Sequence, residues 1–167
     1  GGMGGRATKD GKDGVQVNIT NTSNLPVEAI EMEYPLRVED YALIEDSGGA
    51  GTHRGGMGIR RSIRPVGHMC EFNGVGERFR HQPWGIFGGT SGAQGAFHIE
   101  THDVEKVSLT SKASRVKLWP ENIVVISTPG AGGYGTPKNR TKDALRQDLA
   151  SGKFTEDFLN KHYKNNT

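Results

Sequence analysis

The stretch Ser47–Gly58 reads SGGAGTHRGGMG, and six of its twelve residues are glycine. Two further blocks of this kind follow, PWGIFGG at Pro83–Gly89 and TPGAGGYG at Thr128–Gly135. Glycine adopts positive φ without steric cost and lets two backbones, or a backbone and a ligand, approach closely. Each block also carries an arginine, an aromatic residue or a proline. We therefore interpret the blocks as shaped loops and not as flexible linkers, and we predict that Ser47–Gly58 is a turn system whose glycines use positive φ.

Outward from the blocks, the chain is a succession of short strand patterns separated by turn signals. Apolar and polar residues alternate or cluster as strands at 15–20, 36–43, 59–64, 69–75, 96–100, 107–109, 115–118 and 123–128. The last of these runs is continuously apolar, which indicates a central strand. We therefore predict a mainly β domain, barrel- or sandwich-like, over residues 15–137.

The two ends of the chain differ from this β region. Residues 1–14 include six glycines and no initiator methionine at position 1, and we expect a segment that continues from an upstream region. Residues 138–167 lack a strand pattern. Their apolar spacing predicts two short helices, one capped by Thr141 or Asp143 and one by Thr155. Because two short helices are marginal alone, we expect this hairpin to dock on the β domain or on a partner.

Composition excludes several classes of function. The net charge of the 167 residues is +2, from 21 basic and 19 acidic residues of mixed distribution, which gives no indication of binding to nucleic acid or a membrane surface. No apolar run approaches the ~20 residues needed to span a bilayer. A single cysteine, Cys70, excludes an internal disulfide and suits a reducing cytoplasm.

Three catalytic patterns fail on inspection of the sequence. Neither the first nor the third glycine block ends in the Gly-Lys-Ser/Thr of a phosphate-binding loop, and no Gly-x-Ser-x-Gly nucleophile elbow occurs. The triplet His98, Glu100 and His102 is explained more simply by an exposed strand face than by a metal site, which needs converging ligands and a supporting shell. We therefore predict neither a metal site nor a bound cofactor on this chain.

Arginine and glutamate side chains beside the blocks are better candidates for binding. Arg54 lies inside the first block and Arg78 shortly before the second, and arginine clamps carboxylate or phosphate with two parallel hydrogen bonds. The alternative is a structural arginine that rigidifies a glycine loop. Glu28 either lies on the surface or turns its carboxylate toward a cleft. The large aromatic side chains are expected in the core: Trp84, Phe87 and Trp119.

Longer motifs surround the glycine blocks: GKDG at 11–14, TNT at 20–22, PVEAIE at 26–31, EYPLRV at 33–38, ER at 77–78, DALRQD at 143–148 and SGK at 151–153. Together with the blocks, they resemble the C-terminal part of the hydantoinase B / 5-oxoprolinase family, which includes the large subunit of biotin-independent acetone carboxylase. On these matched stretches, we take Asn21, Glu28, Arg54 and Arg78 as candidate substrate-binding or loop-positioning residues. No catalytic residue is identified.

The resemblance implies ATP-dependent opening of a cyclic amide such as a hydantoin or 5-oxoproline. An A-type partner would use ATP and Mg²⁺ to phosphorylate the amide oxygen, which makes that oxygen a better leaving group, and the B-type protein would complete the hydrolysis. The implied partners are this A-type subunit and the N-terminal part of the B-type subunit, in a hetero-oligomer. The chain alone is expected to be inactive.

The sequence leaves other hypotheses open. One is a fragment of a biotin-independent, ATP-dependent ketone carboxylase, and another is a purely structural assembly subunit. An autonomous nucleotide-binding module is a weaker hypothesis, because the glycine blocks lack the phosphate-loop ending.

Overall fold

The computed structural model describes residues 1–16, 22–101 and 104–164, which contain seven strands and three α-helices. The strands are β1 (Leu36–Leu43), β2 (Ile59–Pro65), β3 (Cys70–Val75), β4 (Ala96–Thr101), β5 (Val104–Leu109), β6 (Lys112–Leu118) and β7 (Asn122–Ser127). The helices are α1 (Val27–Glu33), α2 (Lys142–Ala150) and α3 (Glu156–His162). The predicted mainly β class is therefore confirmed. The strand predicted at 15–20 lies mostly outside the described residues.

Five strands form one antiparallel sheet in the order β1-β2-β7-β4-β5, and β3 pairs with β6 in a second, two-stranded antiparallel sheet. The central place of β7 agrees with its continuously apolar sequence, and its Val124 and Val125 are buried. The ring of Phe72 on β3 meets Phe97 on β4 edge to face, with centroids 5.4 Å apart, which joins the two sheets. In the described part of the chain, β1 and β5 remain edges, so the sheet does not close into a barrel.

Strand β2 presents different chemistry on its two faces, because successive side chains of a strand point to opposite sides. Arg60 and Arg64 lie on the polar face and pair with Asp40 and Glu39 of β1. Arg61 lies on the other face, flanked along the strand by isoleucines 59 and 63. Two of the three arginines of this strand therefore lie on its polar face, and the third shares a face with the isoleucines.

The glycine blocks form a second body of packed chain outside the two sheets, where isolated β-bridges such as His53 with Tyr134 take the place of strands. We call it the glycine core: residues 1–14, 47–58, 83–95 and 128–135. Its extended segments bond to one another through the backbone. The Gly49 N–H donates to the Ala131 carbonyl (2.7 Å), and the Ala131 N–H donates to the Gly56 carbonyl (3.0 Å). Glycine recurs at every third position in several segments, as at 89, 92 and 95. This is the repeat of an extended helix with three residues per turn.

Close approach of backbones, and not turn geometry, explains the glycines of the first block. A Cβ placed on Gly55 would lie 1.8 Å from the carbonyl oxygen of Ala131. None of the six glycines in Ser47–Gly58 has a positive φ. The prediction of a turn system that uses positive φ was therefore wrong. What these positions require is the absence of a side chain.

The prediction that the large aromatic residues pack in the core was also wrong. Trp84, Phe87 and Trp119 are 65%, 75% and 50% exposed, respectively. Backbone atoms fill the glycine core, which leaves no volume there for large rings. Two of the three rings belong to the second block and are therefore displayed on the surface.

The C-terminal helices pack on the glycine core. The hydroxyls of Thr141 and Thr155 cap α2 and α3 by accepting from the third N–H beyond each. Thr155 was the predicted cap of its helix, and Thr141 was one of the two candidates predicted for the other. A single buried apolar cluster joins the helices to the first block: Ala50, Met57, Leu145, Phe154, Leu159 and Tyr163. The Tyr163 hydroxyl accepts from the Gly51 N–H (3.0 Å) and donates to the Gly51 carbonyl (3.3 Å). The C-terminal segment after residue 137, which we call the tail, is therefore hydrogen-bonded to the glycine core as well as packed on it.

Candidate functional site

Arg54 is buried and directs its side chain into the protein. Its two terminal nitrogens donate to the two carboxylate oxygens of Asp13 (2.7 and 3.1 Å), and Nε donates to Asp148 Oδ1 (3.1 Å). Only 5% of the residue is exposed. Every nitrogen of the guanidinium therefore has a partner within the chain, and these contacts support the structural interpretation of this arginine.

Arg140 is the matching residue, and the sequence reasoning missed it. It donates from both terminal nitrogens to Asp10 (2.8 Å each) and from Nε to Asp148 Oδ2 (2.9 Å). Asp148, on α2, therefore lies between two guanidinium groups. We call this set the arginine–aspartate network: Asp10, Asp13, Arg54, Arg140 and Asp148. One signal in the sequence was available, since Asp148 falls on the apolar stripe of its helix, where a buried acid needs a partner.

Asp10 and Asp13 of this network are charged at neutral pH. Burial alone would raise the pKa of Asp10, but hydrogen bonding and the charge of Arg140 outweigh burial and lower it. The pKa of Asp13 is lowered in the same way, with Arg54 as the main opposing group. The network thus links the N-terminal segment, the first block and the C-terminal helices through hydrogen bonds to two arginines.

The described residues do not fit a nucleotide or a metal ion. Most backbone N–H groups of the first and third blocks already donate within the chain, as Gly133 does to the Thr90 carbonyl (2.9 Å) and Gly51 to the Tyr163 hydroxyl (3.0 Å). Within the described ranges, no three His, Cys, Asp or Glu side chains converge as metal ligands. His98 bonds Glu100 (3.0 Å), and His102, the third member of the predicted triplet, lies outside the described residues.

Arg78 lies on a surface groove of about 730 Å³, which we call the arginine–tryptophan groove. Its guanidinium carbon lies 4.8 Å from the ring centroid of Trp84, in a cation–π contact. Arg78 holds a positive φ of 60°, which is uncommon for a residue with a side chain. The remaining lining residues are Arg80, His81, Gln82, Ser91 and Gln94.

The groove is cationic and open to a ligand. Neither Arg78 nor Arg80 forms an ion pair with any described residue, in contrast to the two arginines of the network. The backbone holds this loop in place, since the Gly95 N–H donates to the Arg78 carbonyl (3.2 Å) and the Gln94 amide donates to the Arg80 carbonyl (2.9 Å). Two free guanidinium groups beside an indole can bind an anionic or flat polar group.

The remaining candidates occupy other places. Glu28 is exposed in the first turn of α1, and Asn21 lies outside the described residues. Glu31, one turn after Glu28, accepts from the Val38 N–H (2.9 Å) and so ties α1 to β1. Arg54, Arg78 and Glu28 are therefore not brought into one site.

These features define a mainly β chain built on a glycine core, with a cationic groove at its surface. A family model described as hydantoinase B/oxoprolinase matches residues 1–137. The chain belongs to the hydantoinase B/oxoprolinase family.

Individual relatives agree with this assignment. The chain is 34% identical to the B-type subunit of a putative D-/L-hydantoinase from Pseudomonas sp. (strain NS671), over 94% of this chain and 26% of that protein. The ATP-dependent caprolactamase from Pseudomonas jessenii matches in structure with a TM-score of 0.78 and 24% identity, over 97% of this chain and 29% of that one. A nucleotide-free acetone carboxylase matches with a TM-score of 0.74 and 20% identity, over 94% and 25%. At these identities the two structures show a shared fold.

The chain spans between about a tenth and about a quarter of the length of the curated relatives that it matches. Within the described residues, no helix combines the length and the apolar character needed to cross a membrane.

Proposed function

We propose that this chain forms the C-terminal part of a hydantoinase B/oxoprolinase-type subunit, in a complex that hydrolyses a cyclic amide of the hydantoin or 5-oxoproline type with ATP. The family match over residues 1–137 carries the proposal. The fold shared with an ATP-dependent caprolactamase supports it. The single thiol, Cys70, supports a reducing cytoplasm as its location.

The contribution proposed for this chain is one wall of a site, with ATP and Mg²⁺ bound mainly by an A-type partner. The lack of a phosphate cradle and of a metal-ligand cluster among the described residues supports this division. Arg78 is the proposed substrate-binding residue, because its guanidinium is exposed, unpaired within the described chain and positioned by Trp84. Arg54 is the proposed loop-positioning residue.

The second glycine block is the proposed contact with the rest of a longer B-type subunit. Trp84, Ile86 and Phe87 are 65%, 43% and 75% exposed, and contiguous exposed apolar side chains favour an interface. Phe87 holds a positive φ of 51°, and its ring leans on that of Tyr134 with centroids 5.2 Å apart. Relatives that match this chain extend well beyond it, and the additional part of such a subunit is the proposed partner at this interface.

Reconstitution tests the proposal. The chain is combined with the separately produced A-type subunit and the remaining B-type polypeptide, and ATP-dependent opening of hydantoin and of 5-oxoproline is measured. We expect turnover only when all parts are present. Turnover by the 167-residue chain alone, or full turnover without it, would contradict the proposed role.

Two exposed tryptophans give a matched pair of variants. Trp84→Ala should weaken assembly at least tenfold, whereas Trp119→Ala, at a similarly exposed ring away from the groove, should leave assembly unchanged. In assembled enzyme, Arg78→Met should raise KM at least tenfold. If Arg78→Met changes neither KM nor kcat while Trp84→Ala still impairs assembly, the chain has a structural role only.

The ketone carboxylase is the second candidate, and the fold shared with acetone carboxylase is the observation that favours it. The same reconstituted complex distinguishes the two. Consumption of bicarbonate with acetone, in the absence of lactam opening, would select the carboxylase.

A further inference from the structure

A second cavity lies on the five-stranded sheet, away from the arginine–tryptophan groove. Its volume is about 540 Å³. The sheet supplies its floor, because Tyr41 of β1, Arg61 of β2 and Ile126 of β7 are direct neighbours in the register of the three strands and share one face. The polar residues Thr22, Ser23, Asn24 and Thr128 also line it.

Arg61 is anomalous within this cavity. Its Nη2 atom is buried and has no hydrogen-bond partner in the structure as described, and no described carboxylate pairs with it. The adjacent arginine on the same strand, Arg60, has its guanidinium beside Asp40. A buried donor without an acceptor is costly and rare in native proteins, so this one calls for an acceptor that the described chain does not supply.

The surroundings of Arg61 hold its guanidinium in place. The guanidinium carbon lies 4.4 Å from the ring centroid of Tyr41. The Tyr41 hydroxyl accepts from Asn24 Nδ2 (2.6 Å), and its own proton is donated to none of the described residues. The wall of the cavity therefore contains two neighbouring donor groups, the Arg61 guanidinium and the Tyr41 hydroxyl, and the guanidinium lies over the ring that carries the hydroxyl.

We propose that this cavity binds an oxyanion, a carboxylate or a phosphoryl group, held by the Arg61 guanidinium and the Tyr41 hydroxyl. An oxyanion would supply the negative charge that the guanidinium needs and the lone pairs that both donors need as acceptors. Where the oxyanion comes from rests on the proposed function, because opening a cyclic amide with water produces a carboxylate and ATP supplies phosphoryl groups. Binding itself is a property of this chain and is measured without turnover.

Titration of the 167-residue chain with sodium acetate and, separately, with inorganic phosphate tests the site, followed by NMR of the arginine Nε–H and backbone amides. We expect at least one anion to saturate the wild-type chain with a Kd on the order of 1–10 mM. Arg61→Met should weaken that binding at least tenfold. Arg60→Met, the adjacent arginine on the opposite face, should leave it within twofold of the wild type. Binding of acetate alone selects a carboxylate, and binding of phosphate alone selects a phosphoryl group.

Three results would overturn the proposal: no saturation of the wild type by either anion, equal binding by Arg61→Met and wild type, or an equal loss in Arg60→Met. If Arg61→Met does not fold, as judged by circular dichroism, Tyr41→Phe decides. This variant keeps the ring and removes the hydroxyl, so a loss of threefold or more supports the site and unchanged binding contradicts it.

Gly1 also lines the cavity, so its amino group, which donates to the Val15 carbonyl (3.2 Å), needs its own control in the 167-residue chain. Burial lowers its pKa from 8.0, so it is largely neutral at about pH 9, where arginine stays charged. Anion binding that persists at pH 9 supports Arg61, whereas loss of binding at pH 9 assigns the anion to the amino group. Failure of lactam turnover in the reconstituted complex would leave these binding results intact.

Discussion

The glycine core and the five-stranded sheet hold the same chain together in opposite ways. In the sheet, side chains alternate between two faces. The arginines of β2 accordingly lie in different surroundings, two beside carboxylates of β1 and one over the Tyr41 ring. In the glycine core, backbone meets backbone: a Cβ on Gly56 would lie 1.9 Å from the Lys12 carbonyl oxygen. Gly67, in the turn between β2 and β3, has open space around it. The glycine core is therefore specified by the absence of side chains, and it should be the least tolerant part of the molecule.

Charged groups divide in the same way. The arginine–aspartate network is enclosed by the glycine core and the tail, with the side chains of Arg140 and Asp148 only 2% and 4% exposed. The ion pairs of β2 with β1 lie at the surface, with 51% of the Arg60 side chain exposed. Removal of one partner from a buried network leaves an uncompensated charge, whereas a surface pair is screened by water. The five predictions below test these two contrasts.

The largest effect is expected from Gly55→Ala. The added methyl group would overlap the Ala131 carbonyl, and the segment cannot move without breaking bonds to its neighbours. We expect a loss of at least about 4 kcal/mol in the free energy of unfolding, or no folded protein. Gly67→Ala, where only a positive φ of 72° opposes the side chain, should cost about 1–2 kcal/mol. Equal costs in urea unfolding would show that the glycine core is not closely packed.

Arg140→Met should come next, at about 3–5 kcal/mol, because Asp148 would remain buried, and Asp10 partly buried, with one of their two arginine partners removed. Arg146→Met on the same helix is the control. Its side chain is 77% exposed, and its pair with Asp143 should contribute less than about 0.5 kcal/mol. A small effect at both positions would show that the arginine–aspartate network contributes little to the free energy of unfolding.

Acid should weaken the glycine core selectively. The pKa values of Asp10 and Asp13 in the folded chain lie below the ordinary 3.8, so their stabilisation is present above about pH 4 and is lost as pH falls through the lowered folded values. Asp13→Asn should cost about 1.5–3 kcal/mol at pH 7 and should flatten the decline in stability at acidic pH. Asp143→Asn, at an exposed carboxylate, should preserve the wild-type slope.

Tyr163→Phe should cost about 1–3 kcal/mol, because the buried Gly51 N–H would lose its acceptor. Burial raises the pKa of Tyr163 from 10.0 to about 12. The stability contributed by the protonated phenol is therefore present below pH 10 and is lost as pH rises toward 12. The variant should lose less stability in this alkaline range than the wild type does. Tyr34→Phe, at a half-exposed ring, should behave as wild type.

Arg60→Met should have the smallest effect, about 1 kcal/mol or less, because its pair with Asp40 is open to solvent. Stability is measured by urea unfolding in low and high salt, and the small difference should shrink further in high salt. A cost near that of Arg140→Met would erase the contrast between the surface pairs and the buried network.

Local patterns were sufficient for the elements. Alternation at 36–43 predicted β1 at its observed bounds, and Thr155 was recognised as the cap of α3. These signals succeed because strand alternation and helix capping act between residues only a few positions apart. The family was likewise visible in contiguous motifs, which the match over residues 1–137 confirms.

The candidate sites were less predictable. Arg78 was selected from its position before a glycine block, but its stacking on Trp84 depends on the path of the loop. The sequence does not distinguish Arg61 from Arg60 and Arg64, because only the strand register places Arg61 beside Tyr41 on the cavity side. Arg140 was missed because its partner, Asp10, lies 130 positions away.

The amino-acid sequence alone therefore determined the mainly β class, the strands, the helix caps and the family, since these depend on short-range periodicity and contiguous motifs. Tertiary structure alone decided why the glycines are there, which arginines are enclosed and which aromatic rings are displayed. Each of those outcomes depends on segments that are distant in sequence meeting in space. Glycine spacing does not reveal whether a segment forms a turn or packs closely against another backbone, because glycine suits both by lacking a Cβ. Only the position of the neighbouring backbone distinguishes the two.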